Sequence, residues 1–352
     1  MIIIGCDFHT RFQKIAMVDT ETGEIAKRRL EHGNDEARAF YATLPGPARV
    51  GMEATMNAQW FERLLEEYHH ELWVGDAAQI RAAAVRKQKT DDRDALHILD
   101  LLLVRDKFPR IWIPSPENRD LRQMLRHRDK LVRIRTSVQN QLHALAMSQG
   151  LCRKAKLWTK AGRKELEGLP LDPWASRRRR ELLQLFDQLD PQIEELDKVV
   201  IQEAEKRPAA VHLMTQRGVG PVTALAFVLT IGAVERFPTS KHLVSYLGLN
   251  PGEDSSGGRQ RLGAISKQGN SIMRHLLSEA AQTAVKFDPE LRRDYLRLKF
   301  RRGISGVAKV AIARKLAVRL YWKLREVAQP NTAARMQGSP TSLMVEATPS
   351  RN

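Results

Sequence analysis

Cysteine is almost missing from this chain of 352 residues: Cys6 and Cys152 are the two present. Two thiols cannot build the disulfide framework of a small secreted scaffold, and they suit a reducing cytosol. They are also too few for a cysteine-based zinc finger. Long apolar runs are missing as well. No stretch approaches the ~20 residues of a membrane span. Charge follows the apolar start at Met1–Ile4 within a few residues, so neither a signal peptide nor a membrane partner is expected. Acidic residues are in deficit, with 41 Asp and Glu against 58 Lys and Arg, a net charge of +17. An excess of that size points to a polyanion, usually nucleic acid. It is concentrated late in the chain: Gly257–Pro330 holds 17 Lys and Arg but 5 Asp and Glu. The remaining composition, 42% hydrophobic and 28% charged, supplies cores for two or three domains at ~150 residues each.

The first third alternates strand and helix patterns. Met1–Phe8 reads as a buried strand, and Lys14–Asp19 with Glu24–Glu31 as a hairpin about Glu21-Thr22-Gly23. Asp35–Leu44 is helical, Arg49–Glu53 a short strand, Gln59–His69 a helix, Leu72–Gly75 a strand and Thr90–Leu103 a helix. Three strands, helix, strand, helix, strand, helix is the order of the ribonuclease H-like α/β fold. This domain is expected over residues 1–112.

Residues 113–210 follow a linker punctuated by Pro109, Pro114 and Pro116. Glu117–Ala146 and Glu181–Lys206 carry apolar residues at helical spacing, joined by an irregular stretch. Two such helices predict an antiparallel coiled-coil arm. The first has an arginine face that includes Arg122 and Arg126. Residues 211–328 are expected to form a mainly α-helical domain. It opens on Gly218-Val219-Gly220-Pro221, a helix-hairpin-helix-like entry whose free backbone N–H groups suit a phosphate. Residues 329–352 are polar, with scattered Pro and Ser, and are expected to lack structure.

Four carboxylates stand out. Asp7 interrupts an apolar run, which costs free energy unless something compensates it. Glu53 ends the fourth strand. Asp91 and Asp94 open the last helix of the domain and share one face, whereas Asp92 points about 100° away. With the first and fourth strands adjacent, the four would converge. Such a cluster needs a divalent cation, and Mg²⁺ suits hard oxygen ligands, with Mn²⁺ an alternative. Structural readings compete: Asp91 and Asp94 as helix-start charges, and Glu53 as a surface acid.

A Gly- and Ser-rich loop spans Asn250–Gly263 and contains Ser255-Ser256-Gly257-Gly258. Arg259, Arg261, Lys267 and Arg274 surround it in sequence. Arginines grip phosphate oxygens in pairs, so a serine there suits a nucleophile facing a phosphate; a merely flexible loop is the alternative.

The set Asp7…Glu53…Asp91-x-x-Asp94, with Gly218-x-Gly220-Pro221, Gly248-Leu249-x-Pro251, Ser256-Gly257 and Lys267-x-Gly269, resembles one family across about residues 1–328. These are bacterial insertion-sequence transposases joining a RuvC-like DEDD domain to a serine-bearing transposase domain. The resemblance implies a recombinase guided by a structured non-coding bridge RNA, acting on double-stranded donor and target DNA in the cytoplasm, at the nucleoid. It implies metal at Asp7, Glu53, Asp91 and Asp94. Ser256 would be the nucleophile, with Ser255 beside it as an alternative, and a phosphoserine link would form to DNA. It also implies a homo-oligomer, dimer to tetramer, with composite sites. Two rival readings remain: a Holliday-junction resolvase-like nuclease using water alone, and a non-catalytic nucleic-acid-binding protein.

Overall fold

The computed structural model describes residues 1–55, 58–84, 91–104, 106–151, 156–253 and 261–337; of Asp91, Asp92, Leu262 and residues 329–337 it describes the backbone alone. The chain divides into two compact units, Met1–Pro114 and Ser115–Asn352.

The first unit is a mixed α/β domain. Its strands are β1 (Ile2–Phe8), β2 (Phe12–Asp19) and β3 (Ile25–Glu31), then β4 (Ala48–Glu53) and β5 (Glu71–Gly75). Its helices are α1 (Glu36–Ala42), α2 (Gln59–Glu67), α3 (Ala77–Ala83) and α4 (Asp91–Leu103). The sheet order is β3-β2-β1-β4-β5. The β1, β2 and β3 neighbours pair antiparallel, while β4 pairs parallel with both β1 and β5.

Both sheet faces are covered, which is why β1 reads as a continuous apolar run. Ile2, Ile4 and Cys6 pack with Ile15, Tyr41, Met52, Phe61 and Leu65. Alternate residues face the other way: Ile3, Ala16 and Val18 pack with Ile98, Leu99 and Leu102 of α4. The helix comes very close. A Cβ on Gly5 would lie 2.3 Å from the Ala95 carbonyl oxygen and 2.5 Å from the Leu99 nitrogen. One on Gly51 would meet the Leu102 side chain at 2.6 Å. Two small residues on adjacent strands thus fix where α4 rests.

The second unit is mostly helical. It begins with α5 (Pro116–Ser148), α6 (Lys160–Glu167) and α7 (Pro173–Glu205). Ser115 caps α5 by accepting from the Asn118 N–H, and Pro116 starts it with a preset φ. Leu131, Val138 and Leu142 pack against Leu183, Leu189 and Ile193. Ion pairs Glu117–Arg207, Arg128–Asp197 and Arg135–Asp190 advance along one helix while retreating along the other, so α5 and α7 are antiparallel. The connection between them is not wholly irregular, because α6 lies within it. There follow α8 (Pro208–Met214), α9 (Pro221–Ile231) and α10 (Ser240–Tyr246), then strands β6 (Pro251–Glu253) and β7 (Leu262–Ile265). The chain closes with α11 (Ser271–Phe287), α12 (Pro289–Arg302) and α13 (Ser305–Gln337). Helix α9, apolar on every side, is the centre of the core, with Met273 and Leu277 of α11 and Ile312, Leu316 and Leu320 of α13 in the same cluster.

Two expectations need correction. Asn250–Gly263 is not a simple loop: β6 and β7 pair antiparallel, Pro251 opposite Ile265 and Glu253 opposite Leu262. The strand backbones satisfy each other's hydrogen bonds, which composition alone does not reveal. Nor does helix stop at Ala328, for α13 runs on to Gln337. Ala333, Ala334, Arg335 and Met336 are strong helix formers. No helix among the described residues is long and apolar enough to cross a membrane.

Candidate active site

Strand alternation sets the geometry. Gly5 faces α4, so Asp7, two residues on, belongs to the same face. Gly51 also faces α4, and Glu53 follows it by two. In the parallel ladder Gly5 is opposite Gly51 and Cys6 opposite Met52. Asp7 and Glu53 are therefore next in register, on adjacent strand ends about 4.8 Å apart. The Asp7 side chain is 21% exposed and Glu53 is 42% exposed. Both are reachable from solvent, unlike the core beneath them.

Their neighbours are polar. The His9 Nε2 lies 3.1 Å from Asp7 Oδ2, and the Arg81 guanidinium 3.9 Å from Glu53 Oε1. Burial pushes the Cys6 thiol far above its ordinary range, and the charge of Asp7 pushes it further. Cys6 is a core residue, donating to Gln13 Oε1, which in turn is tied to the Tyr41 hydroxyl.

Helix α4 carries the other two acids over the same sheet face. Asp94 is partly buried and precedes Ala95, the residue above Gly5. Asp91 is the first residue of α4, one turn before Ala95 on the same helix row; its side chain lies outside the described residues. Among the described residues, no three His, Cys, Asp or Glu are grouped to hold a metal. What fits a hard divalent cation is the donor chemistry: two carboxylates in register on one face, beneath the helix that bears two more. His9 and Arg81 were not expected here from sequence. The Asp76 cap that starts α3, accepting from Ala78 and Gln79 N–H groups, is the signal that would have placed Arg81 on a helix.

In the second unit, Ser255, Ser256 and Arg259 lie outside the described residues. The strands on either side of their segment are paired. Arg261 and Lys267 are exposed, Lys267 with φ of 57°. Arg274 donates to the Leu247 and Gln268 carbonyls. Arg122 donates to the Leu229 carbonyl, and Arg126 is exposed. Gly218 has φ of +88°, and a Cβ there would sit 2.5 Å from the Ala280 carbonyl oxygen, so close packing on α11 accounts for it. Gly220 caps α9 and has open space beside it.

A carboxylate pair on a mixed α/β sheet, followed by a basic helical region, defines a class of enzymes that act on nucleic acid. Comparison with known proteins makes that specific. A DEDD transposase family model of the IS110 type matches residues 4–148, and the model "Transposase IS116/IS110/IS902 family" matches residues 210–296. A "Probable family 20 transposase" of Pseudomonas aeruginosa is 30% identical, over 91% of this chain and 96% of that one. The "Transposase for insertion sequence element IS1328" of Yersinia enterocolitica is 28% identical, over 80% and 85%. The "Transposase for insertion sequence element IS1111A" of Coxiella burnetii is 28% identical, over 92% and 89%. The chain belongs to the IS110/IS116/IS902 family of insertion-sequence transposases, and is a DNA recombination enzyme.

Proposed function

We propose that this transposase cuts, exchanges and rejoins DNA strands through a phosphoserine intermediate, with sequence choice delegated to a structured guide RNA. The observation that carries the reading is the placement of Asp7 and Glu53 in register on the face that α4 covers. The strand order β3-β2-β1-β4-β5, with β1 to β3 antiparallel and the rest parallel, supports a ribonuclease H-like, RuvC-like domain.

Asp7, Glu53, Asp91 and Asp94 would hold divalent metal, Mg²⁺ or Mn²⁺. When bound, it supplies charge stabilisation at the scissile phosphate. The Ser256 oxygen attacks phosphorus; a P–O bond to serine forms and the bond to the 3′ oxygen breaks. The serine proton is lost and the 3′ oxygen gains one, so the phosphodiester is conserved as an ester. A 3′ hydroxyl then attacks the phosphoserine and frees the serine, with no need of ATP. The positive surplus of the second unit holds nucleic acid through phosphates. Gly220, Arg259, Arg261, Lys267, Arg126 and the composite sites of a dimer or tetramer belong to the same reading.

The test is to trap the reaction on a DNA substrate with its RNA and digest the protein. A DNA-linked peptide containing Ser256 is expected, together with loss of cleavage but retained binding in Asp7→Asn. Linkage at Ser255 would move the nucleophile by one residue. No adduct in the parent, with Ser255→Ala and Ser256→Ala both still active, would leave a water-using nuclease instead.

A further inference from the structure

The sheet face that carries Asp7 and Glu53 continues beyond them. Residues directly opposite in an antiparallel ladder project to the same face. Asp7 is opposite Lys14, and Lys14 is opposite Arg29. Two positions along, Ala16 is opposite Lys27. Across four adjacent strands one row therefore reads Arg29, Lys14, Asp7, Glu53, with Lys27 beside it. The row passes from two cations to two carboxylates over about 15 Å, at ~4.8 Å per strand.

These cations are accessible. The apolar cluster of α4 lies over β1 and β2, while Lys27, Arg28 and Arg29 of the edge strand are exposed. An open cavity of about 320 Å³ is lined by Lys14, Ile15, Lys27, Arg28 and Arg29. Arg29 is held in place. Its guanidinium sits 3.7 Å from the centre of the Phe12 ring, and its Nε donates to Glu31 Oε1 at 2.8 Å. A stacked guanidinium loses less freedom when it meets a ligand.

Charge on an edge strand has an ordinary use, which is to stop pairing with another chain. That accounts for Lys27 and Arg29. It does not account for Lys14, which lies on β2, paired on both sides by β1 and β3. Lys14 and Arg29 are common to the row and the cavity, and the row ends at the carboxylates.

We propose that Lys14, Lys27 and Arg29 hold backbone phosphates of the DNA strand adjoining the bond that is cut at Asp7 and Glu53. This rests on the reading that those carboxylates mark the cutting site. A DNA strand presents a phosphate per ~3.4 Å of helix axis, so several fall along the row. The cations offset the repulsion between an acidic pair and an arriving polyanion. Contacts to phosphate position a strand without reading its sequence. DNA is the partner because the row is continuous with the pair that cuts it.

The experiment measures binding of the full chain to a fluorescent DNA duplex of arbitrary sequence, and to an RNA duplex, over a salt series. Combining Lys14→Gln, Lys27→Gln and Arg29→Gln should shallow the slope of log K against log salt for DNA by about 2–3, at ~0.9 per phosphate released. The RNA slope should stay parental. Lys27→Gln alone, on an exposed edge, should remove about 1 and guards against misfolding of the triple variant. A parental DNA slope in both variants overturns the proposal, as does a loss confined to RNA. Asp7→Asn separates the two claims: it should stop cleavage and leave the slope unchanged. Cleavage at the parental rate in Asp7→Asn would sink the cutting-site reading and the adjacency with it, while the slope still reports the phosphate contact.

Discussion

Gly5 has no room for a side chain, and the reason matters for chemistry. The atoms that a Cβ would meet are backbone atoms of α4, at Ala95 and Leu99. A helix backbone cannot step aside locally, so Gly5→Ala must lift the whole of α4, which carries Asp91 and Asp94. Gly51 differs. Its nearest neighbours are the terminal methyls of Leu102, which can rotate away. Gly5→Ala should therefore destabilise by about 1–3 kcal/mol or more, and Gly51→Ala by clearly less. Urea midpoints at equal slope would compare them. Gly5→Ala should also lose more cleavage activity than its stability accounts for, measured well below its unfolding midpoint. A larger cost at Gly51 would contradict the packing argument.

At the scale of elements, α12 and α13 are joined by carboxylates. Asp294, 6% exposed, accepts from Lys315 and Arg297. The Lys315 ammonium holds its carboxyl below the ordinary value of 3.8. Burial alone would raise the Asp288 carboxyl, but the Leu291 N–H and Arg319 outweigh that and lower it. A depressed folded value means stability that is present above the ordinary value and lost as pH falls through the folded one. Asp294→Asn should cost about 1–3 kcal/mol at neutral pH and flatten the stability profile below about pH 4. Chemical denaturation across pH reads both. A variant as acid-sensitive as the parent would assign that sensitivity elsewhere.

Elements also explain what the sequence reveals. Alternating and 3.6-residue patterns locate β1, β4 and β5 and the helices α1, α2 and α4, because burial on defined faces writes those periods. Helix α3 escapes this reading: Ala77–Ala83 holds one buried apolar residue with a large side chain, Ile80, too little for a stripe. The first turns of α7 escape it too, since Pro173–Arg180 is arginine-rich and the apolar stripe starts at Leu182. Asp7 and Glu53 are legible because a carboxylate at the end of a buried strand is conspicuous. Lys14 is not. Its place beside Asp7 is a property of ladder register, which links residues that no local pattern connects.

For the whole molecule, the physical boundary and the family boundary disagree. Compactness divides the chain after Pro114, whereas the first family model runs on to residue 148 and so includes all of α5. That helix has its apolar partners in α7: Leu131, Val138 and Leu142 share one cluster with Leu183, Leu189 and Ile193. A fragment severed after Ser148 would keep α5 and lose α7, baring a leucine-rich stripe on a helix about 50 Å long. It should self-associate, as uncovered apolar faces do. A fragment severed after Pro114 keeps both clusters that flank its sheet and should remain monomeric in sedimentation at matched concentration. Shortening this protein to its catalytic portion is thus a case in which the smaller piece is the better behaved, and the extra helix a liability until its partner arrives.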